Sequence, residues 1–107
     1  MASRIQELEG FVKEDPNDPF NLYALALEYL KTDIRKAVDI FNQLLKQHAE
    51  YVPTYYQLGK LYADISENEK ALEVFDVGIR VASDQQNHKA MRELQSARQE
   101  LLLDLDD

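Results

Sequence analysis

His48 and His88 are the two histidines of this 107-residue chain, and they stand forty positions apart. A metal centre needs convergent ligands, and a pair on one helix face needs a spacing of about three or four. This pair has neither. His48 falls at the end of a helical pattern, where an imidazole meets free carbonyls, and His88 falls near the start of another. The chain has no cysteine, which excludes disulfides, thiolate catalysis, zinc–thiolate sites and cysteine-held clusters. Gly10, Gly59 and Gly78 each stand alone inside a helical pattern, so none belongs to a phosphate-cradling loop. Paired acids such as Glu67 with Glu69, or Glu73 with Asp76, most often mean a solvated helix face. No nucleophile, acid–base pair or ligand cluster emerges. The expectation is a protein that is not an enzyme and holds no cofactor or metal.

Charge narrows the partners. Twenty Asp and Glu against twelve Lys and Arg give a formal net charge of −8. Such a surface repels phosphates, so neither nucleic acid nor an anionic membrane is an expected partner. The longest uncharged apolar run is Leu22-Tyr23-Ala24-Leu25-Ala26-Leu27, far short of a bilayer span. Met1-Ala2-Ser3-Arg4-Ile5 lacks the basic start and apolar run of a secretory signal, and a cytoplasmic location is the expectation. A hydrophobic content of 45% suffices for a folded core.

Apolar residues recur at three and four throughout: Ile5, Leu8, Phe11 and Val12; Leu22, Leu25, Ala26 and Tyr29; Val38, Phe41, Leu44 and Leu45; Tyr55, Leu58, Gly59 and Tyr62; Leu72, Phe75 and Ile79; Ala90, Leu94, Ala97 and Leu101. No segment alternates with period two, so no strand is expected. Asp18 before Pro19 has the form of a helix N-cap with proline first in the helix. Ser66 and Glu69 have the spacing of a capping box. Six helices follow, over 3–14, 19–31, 34–48, 53–64, 68–82 and 86–103.

These helices repeat. A shift of 33 carries Leu22 to Tyr55, Tyr23 to Tyr56, Leu25 to Leu58, Ala26 to Gly59 and Tyr29 to Tyr62. A shift of 34 carries Ala37 to Ala71, Val38 to Leu72, Phe41 to Phe75 and Leu45 to Ile79. The extra residue reflects a shorter turn at Thr32-Asp33-Ile34-Arg35 than at Ile65-Ser66-Glu67-Asn68-Glu69. The first helix joins the series, since a shift of 33 carries Leu8 to Phe41, Phe11 to Leu44 and Val12 to Leu45. Fixed-period helix pairs of this kind stack into solenoids. The reading is one all-α domain over 1–107, with a half-repeat helix at 3–14, repeats at 19–48 and 53–82, and a capping helix at 86–103.

Tyr55, Leu58-Gly59, Tyr62, Ala71, Phe75 and the small Gly78 resemble the pattern of the tetratricopeptide repeat (TPR) family. The first pair is similar through Leu22, Leu25-Ala26, Tyr29, Ala37 and Phe41, with Leu44 where the family has a small residue. The closing proline is present as Pro16 and absent at Ala49 and Ser83. The resemblance covers roughly residues 3 to 83. The whole chain also looks like small stand-alone bacterial members with two repeats and a His-Lys-Ala-containing last helix, which lack an agreed activity.

The resemblance implies an α-solenoid of antiparallel helix pairs in a right-handed superhelix. It also implies an extended protein or peptide held on a concave surface lined by the first helix of each pair. Carried over by position, that groove consists of Phe20, Tyr23, Leu27 and Lys31 in the first pair and Tyr56, Lys60 and Asp64 in the second. The alternative is that neighbouring helices and the capping helix cover these residues as core, since exposed and buried aromatic stripes look alike in sequence. Members that clamp the acidic tails of chaperones place Lys and Asn where this chain has Tyr23, Leu27 and Gln57, so that subtype is not expected. An apolar or basic partner suits the acidic surface better. The alternative function is a structural homodimer built through the last helix, where Leu101, Leu102, Leu103 and Leu105 exceed what one buried stripe needs. Phe41 and Phe75 are expected in the core, and Gly59 at a close helix crossing that tolerates alanine and rejects leucine.

Overall fold

The computed structural model of the chain describes residues 3–106. Among these residues there are six helices and no strand: α1 (Arg4–Glu14), α2 (Pro19–Tyr29), α3 (Ile34–Gln47), α4 (Pro53–Asp64), α5 (Asn68–Asp84) and α6 (His88–Leu105). They group into two compact units, one ending at Tyr51 and the other starting at Val52.

In the first unit, α1 begins on a capping box. Ser3 Oγ accepts from Gln6 N–H and Gln6 Oε1 accepts from Ser3 N–H, which satisfies two otherwise orphaned donors. The α2 start has the expected form, with Asp18 Oδ1 accepting from Phe20 N–H and Pro19 opening the helix. Helices α2 and α3 lie antiparallel, because Tyr23 meets Phe41 at one end and Lys36 sits over Tyr29 at the other. Ala26, Ala37, Phe41 and Leu44 lose all solvent exposure. The two alanines let the axes approach, and burying each large side chain contributes roughly 1.5–3 kcal/mol.

The second unit repeats this design and extends it. Gly59 faces Phe75 and Gly78 faces Tyr55, so α4 and α5 are also antiparallel. Helix α6 then packs antiparallel on α5, with Leu94 beside Gly78 and Arg98 Nε donating to Asp76 Oδ1 at 2.7 Å. Leu94, Ala97 and Leu101 form its buried stripe. Phe41 and Phe75 are both core, as their spacing predicts.

Several expectations need correction. The helices expected at 3–14, 19–31, 34–48, 68–82 and 86–103 span 4–14, 19–29, 34–47, 68–84 and 88–105. The Ser66–Glu69 capping box does not form. Ser66 instead has φ 63, and it closes α4: Glu67 N–H donates to Tyr62 O and Ser66 N–H to Ala63 O. That pair of bonds is a Schellman ending, which uses Ser66 as the left-handed residue and leaves Glu67 to begin α5. Gln86, φ 56, ends α5 in the same way, through Asn87 N–H to Ala82 O and Gln86 N–H to Ser83 O. Asn87 then caps α6 by accepting from Ala90 N–H, which moves that start from 86 to 88. Phe11, placed in an apolar stripe, is 46% exposed. Finally, Gly59 does sit at a close crossing, tighter than expected for alanine: a Cβ there would overlap the edge of the buried Phe75 ring, which would have to shift.

Candidate functional site

The first helix of each pair carries the residues expected to bind. On α2, Phe20 is 60% exposed. Tyr23 is half-buried and braced edge-on by Phe41 and by Tyr51, at centroid distances of 6.3 and 5.6 Å. Leu27 is half-buried, and Lys31 is exposed and paired with Glu28 at 3.2 Å. Burial raises the Tyr51 phenol above its ordinary value near 10, and the neighbouring Tyr23 and Asp18 push it the same way.

On α4, Tyr56 and Lys60 are half-buried and Asp64 is exposed. Here α6 alters the expected surface. Tyr56 lines an open cleft of about 310 Å³ with Arg92, Glu93, Ser96, Ala97 and Glu100. Lys60 and Asp64 share a second cavity, of about 200 Å³, with Ala97, Glu100, Leu101, Asp104 and Leu105 of α6, above Phe75 of α5. The start of α4 thus meets the first half of α6, and its end meets the last half. The two helices run in the same direction with clefts along their seam. Lys60 and Asp64 are brought together, and Tyr56 lies in the adjoining cleft. The α2 residues belong to the first unit.

Sequence reasoning left open whether the capping helix covers the groove aromatics, and it did not place the α6 carboxylates in the site. A signal for them was present: the buried stripe Leu94, Ala97, Leu101 steps on by three to Asp104, a carboxylate on an otherwise apolar line. Among the described residues no group of three or more His, Cys, Asp or Glu is arranged to hold a metal. Nor is any helix long and apolar enough to cross a membrane.

No protein-family model matches the sequence, and no curated protein matches it. Solved structures do. The solution structure of a tetratricopeptide repeat domain protein from Salinibacter ruber is 41% identical, with a TM-score of 0.77 over 81% of this chain and 89% of that one. The chain belongs to the tetratricopeptide repeat family. A crystal structure of a TPR domain protein from Salinibacter ruber agrees, at 40% identity and a TM-score of 0.74 over 78% of this chain and 96% of that one. The crystal structure of MamA, 21% identical with a TM-score of 0.62, covers 95% of this chain and 67% of its own and shows the shared fold.

Membership makes this an all-α helical-repeat fold of the kind that serves as a protein-interaction module in general. In TPR terms α2 and α4 are first helices and α3 and α5 second helices. Within the second unit α6 lies beside α4 and antiparallel to α5, where the first helix of a further repeat would lie. One repeated contact goes beyond the family pattern that the sequence revealed. Lys36 lies 5.6 Å from the Tyr29 ring centroid and Lys70 lies 5.7 Å from that of Tyr62, each a cation over an aromatic face.

Proposed function

We propose that the chain is a non-catalytic module that binds a polypeptide along the first helices of its repeats. Phe20, Tyr23, Leu27 and Lys31 of α2, and Tyr56, Lys60 and Asp64 of α4, are the contact residues. The observation that carries this reading is the seam of α4, where α6 leans on the helix yet leaves Tyr56, Lys60 and Asp64 lining open clefts. A half-buried aromatic, Tyr56, beside an open cleft of mixed polar and apolar lining suits side-chain recognition, because a rigid ring offers contact area at low entropic cost. Selection from a displayed random-peptide library on the intact protein should enrich binders. Tyr56→Ala should weaken their binding about tenfold, a hot-spot-sized loss, while the helical circular dichroism and melting temperature stay near wild type. Binding that is indifferent to Tyr56→Ala would move the site away from this face.

A second reading, a homodimer through the C-terminal helix, has its own support. Helix α6 continues through Leu105, and Leu103 and Leu105 are 58% and 48% exposed on its last turns. Light scattering across concentration separates the two, since only self-association makes the mass rise.

A further inference from the structure

We infer that the cavity at the C-terminal ends of α4 and α6 receives the lysine or arginine side chain of the bound polypeptide. This inference rests on the polypeptide-binding reading above and adds the chemistry of the ligand. Because the two helices run in the same direction, both C-termini arrive at one place. A helix C-terminus carries a partial negative charge from its free carbonyls, and a basic residue in the last turn ordinarily answers it. Neither α4 nor α6 has one. Each instead brings an aspartate, Asp64 as the last residue of α4 and Asp104 in the last turn of α6, and Glu100 adds a third carboxylate to the lining.

Lys60 is the one cation among the described lining residues. It lies one turn before Asp64, close enough to answer one charge. Two carboxylates and two helix ends are left in excess. The base of the cavity is apolar: Phe75 and Leu101 are 1% and 7% exposed. An apolar base under an anionic rim matches a side chain with a hydrocarbon stem and a cationic head. Phosphorylated and acidic segments are repelled, and a second copy of this chain brings a further −8 of charge. A basic segment is favoured by the whole field as well as by the pocket.

The test uses the intact protein and the tightest peptide from the library selection, synthesised as selected and with each Lys or Arg changed to Gln. Titration calorimetry measures both against wild type and a Glu100→Gln/Asp104→Asn variant. The enriched peptides should share a Lys or Arg. Loss of that residue, or of the two carboxylates, should each weaken binding about tenfold or more, the scale of a charge-assisted contact. The combined loss should be smaller than the product of the two, which shows that they act on each other. The protein variant should melt no lower than wild type, because it removes negative charge from a helix C-terminus.

Enriched peptides without a shared basic residue, or undiminished affinity for the double variant, would overturn the pocket assignment while leaving polypeptide binding standing. Failure to enrich any peptide would remove both readings. A dimer that the double variant dissolves would give the cavity to a second copy and overturn the proposal.

Discussion

At the scale of single residues, the three glycines form a graded experiment. Gly10 faces open space, so a Cβ there meets nothing within 4 Å. Gly10→Ala should therefore return the helix-propensity gain of about 0.5–1 kcal/mol. At Gly59 the same gain opposes overpacking against the buried Phe75 ring, worth roughly 1–3 kcal/mol, and the net effect should be a loss. At Gly78 the obstacle is the Tyr55 Cβ, 2.5 Å from the added atom. A Cβ is tied to its backbone and yields less than a ring edge, so Gly78→Ala should cost the most. Urea denaturation of the three variants checks the order, and a stabilised Gly78→Ala would contradict the α4–α5 contact. Sequence spacing located the Gly59 crossing but not its tightness, because a periodic pattern carries no distance. The same blindness affected Ser66. S-x-x-E reads as a capping box, yet the preceding helix uses this serine as its left-handed end. Ser66→Gly relieves an L-residue of about 1–2 kcal/mol of strain and returns part of it as unfolded-chain entropy. The variant should gain up to about 1 kcal/mol in the same assay, and a loss would mean that Ser66 does not hold the left-handed conformation.

The element scale was the most legible, since helix period and repeat period are both written in apolar residues. The shifts of 33 and 34 identified α2 with α4 and α3 with α5, and the one-residue difference has a structural cause. The α2–α3 turn is not the shorter one the sequence suggested: α4 runs on to Asp64, past the position matching Tyr29, and closes on the left-handed Ser66, whereas α2 stops at Tyr29, whose carbonyl accepts from Thr32 and Asp33 N–H before Asp33 caps α3. What could not be read was which face of α6 meets α4, because its charged flank looks like any solvated surface until a neighbour is placed beside it. Tyr51 is a similar case, an aromatic beyond the α3 pattern that packs on Tyr23 of α2. Its raised pKa means the folded state favours the neutral phenol. That contribution is complete below the unfolded value near 10 and is lost as pH rises through the higher folded value. Stability should fall on the alkaline side, and Tyr51→Phe should fall less steeply over the same range. Parallel slopes in a pH series of denaturation curves would mean that the Tyr51 phenol is not buried against α2.

Across the whole molecule the dominant quantity is the charge of −8, which sequence alone supplied. It argues against anionic partners but could not say where the excess lies, since that depends on helix ends meeting in space. The excess has two consequences of opposite sign. Like charges repel within the free chain, and the observed ion pairs do little to offset this: Arg4–Glu7, Lys31–Glu28 and Arg98–Asp76 are all solvent-accessible, the class of pair worth about 0–1 kcal/mol. Added salt should therefore stabilise the free protein, because the screening length drops from about 30 Å at 0.01 M to about 10 Å at 0.1 M. A relief of about 1 kcal/mol would raise the melting temperature by roughly 4–8 °C in a domain of this size. A basic peptide at the α4–α6 seam responds in the reverse direction, as screening removes the attraction that brings it in. One salt series, read by thermal melting for the free chain and by calorimetry for the peptide complex, should show stability rising while affinity falls. If both rose together, binding would be driven by apolar burial alone, and the carboxylates at the two helix ends would have no part in choosing the partner.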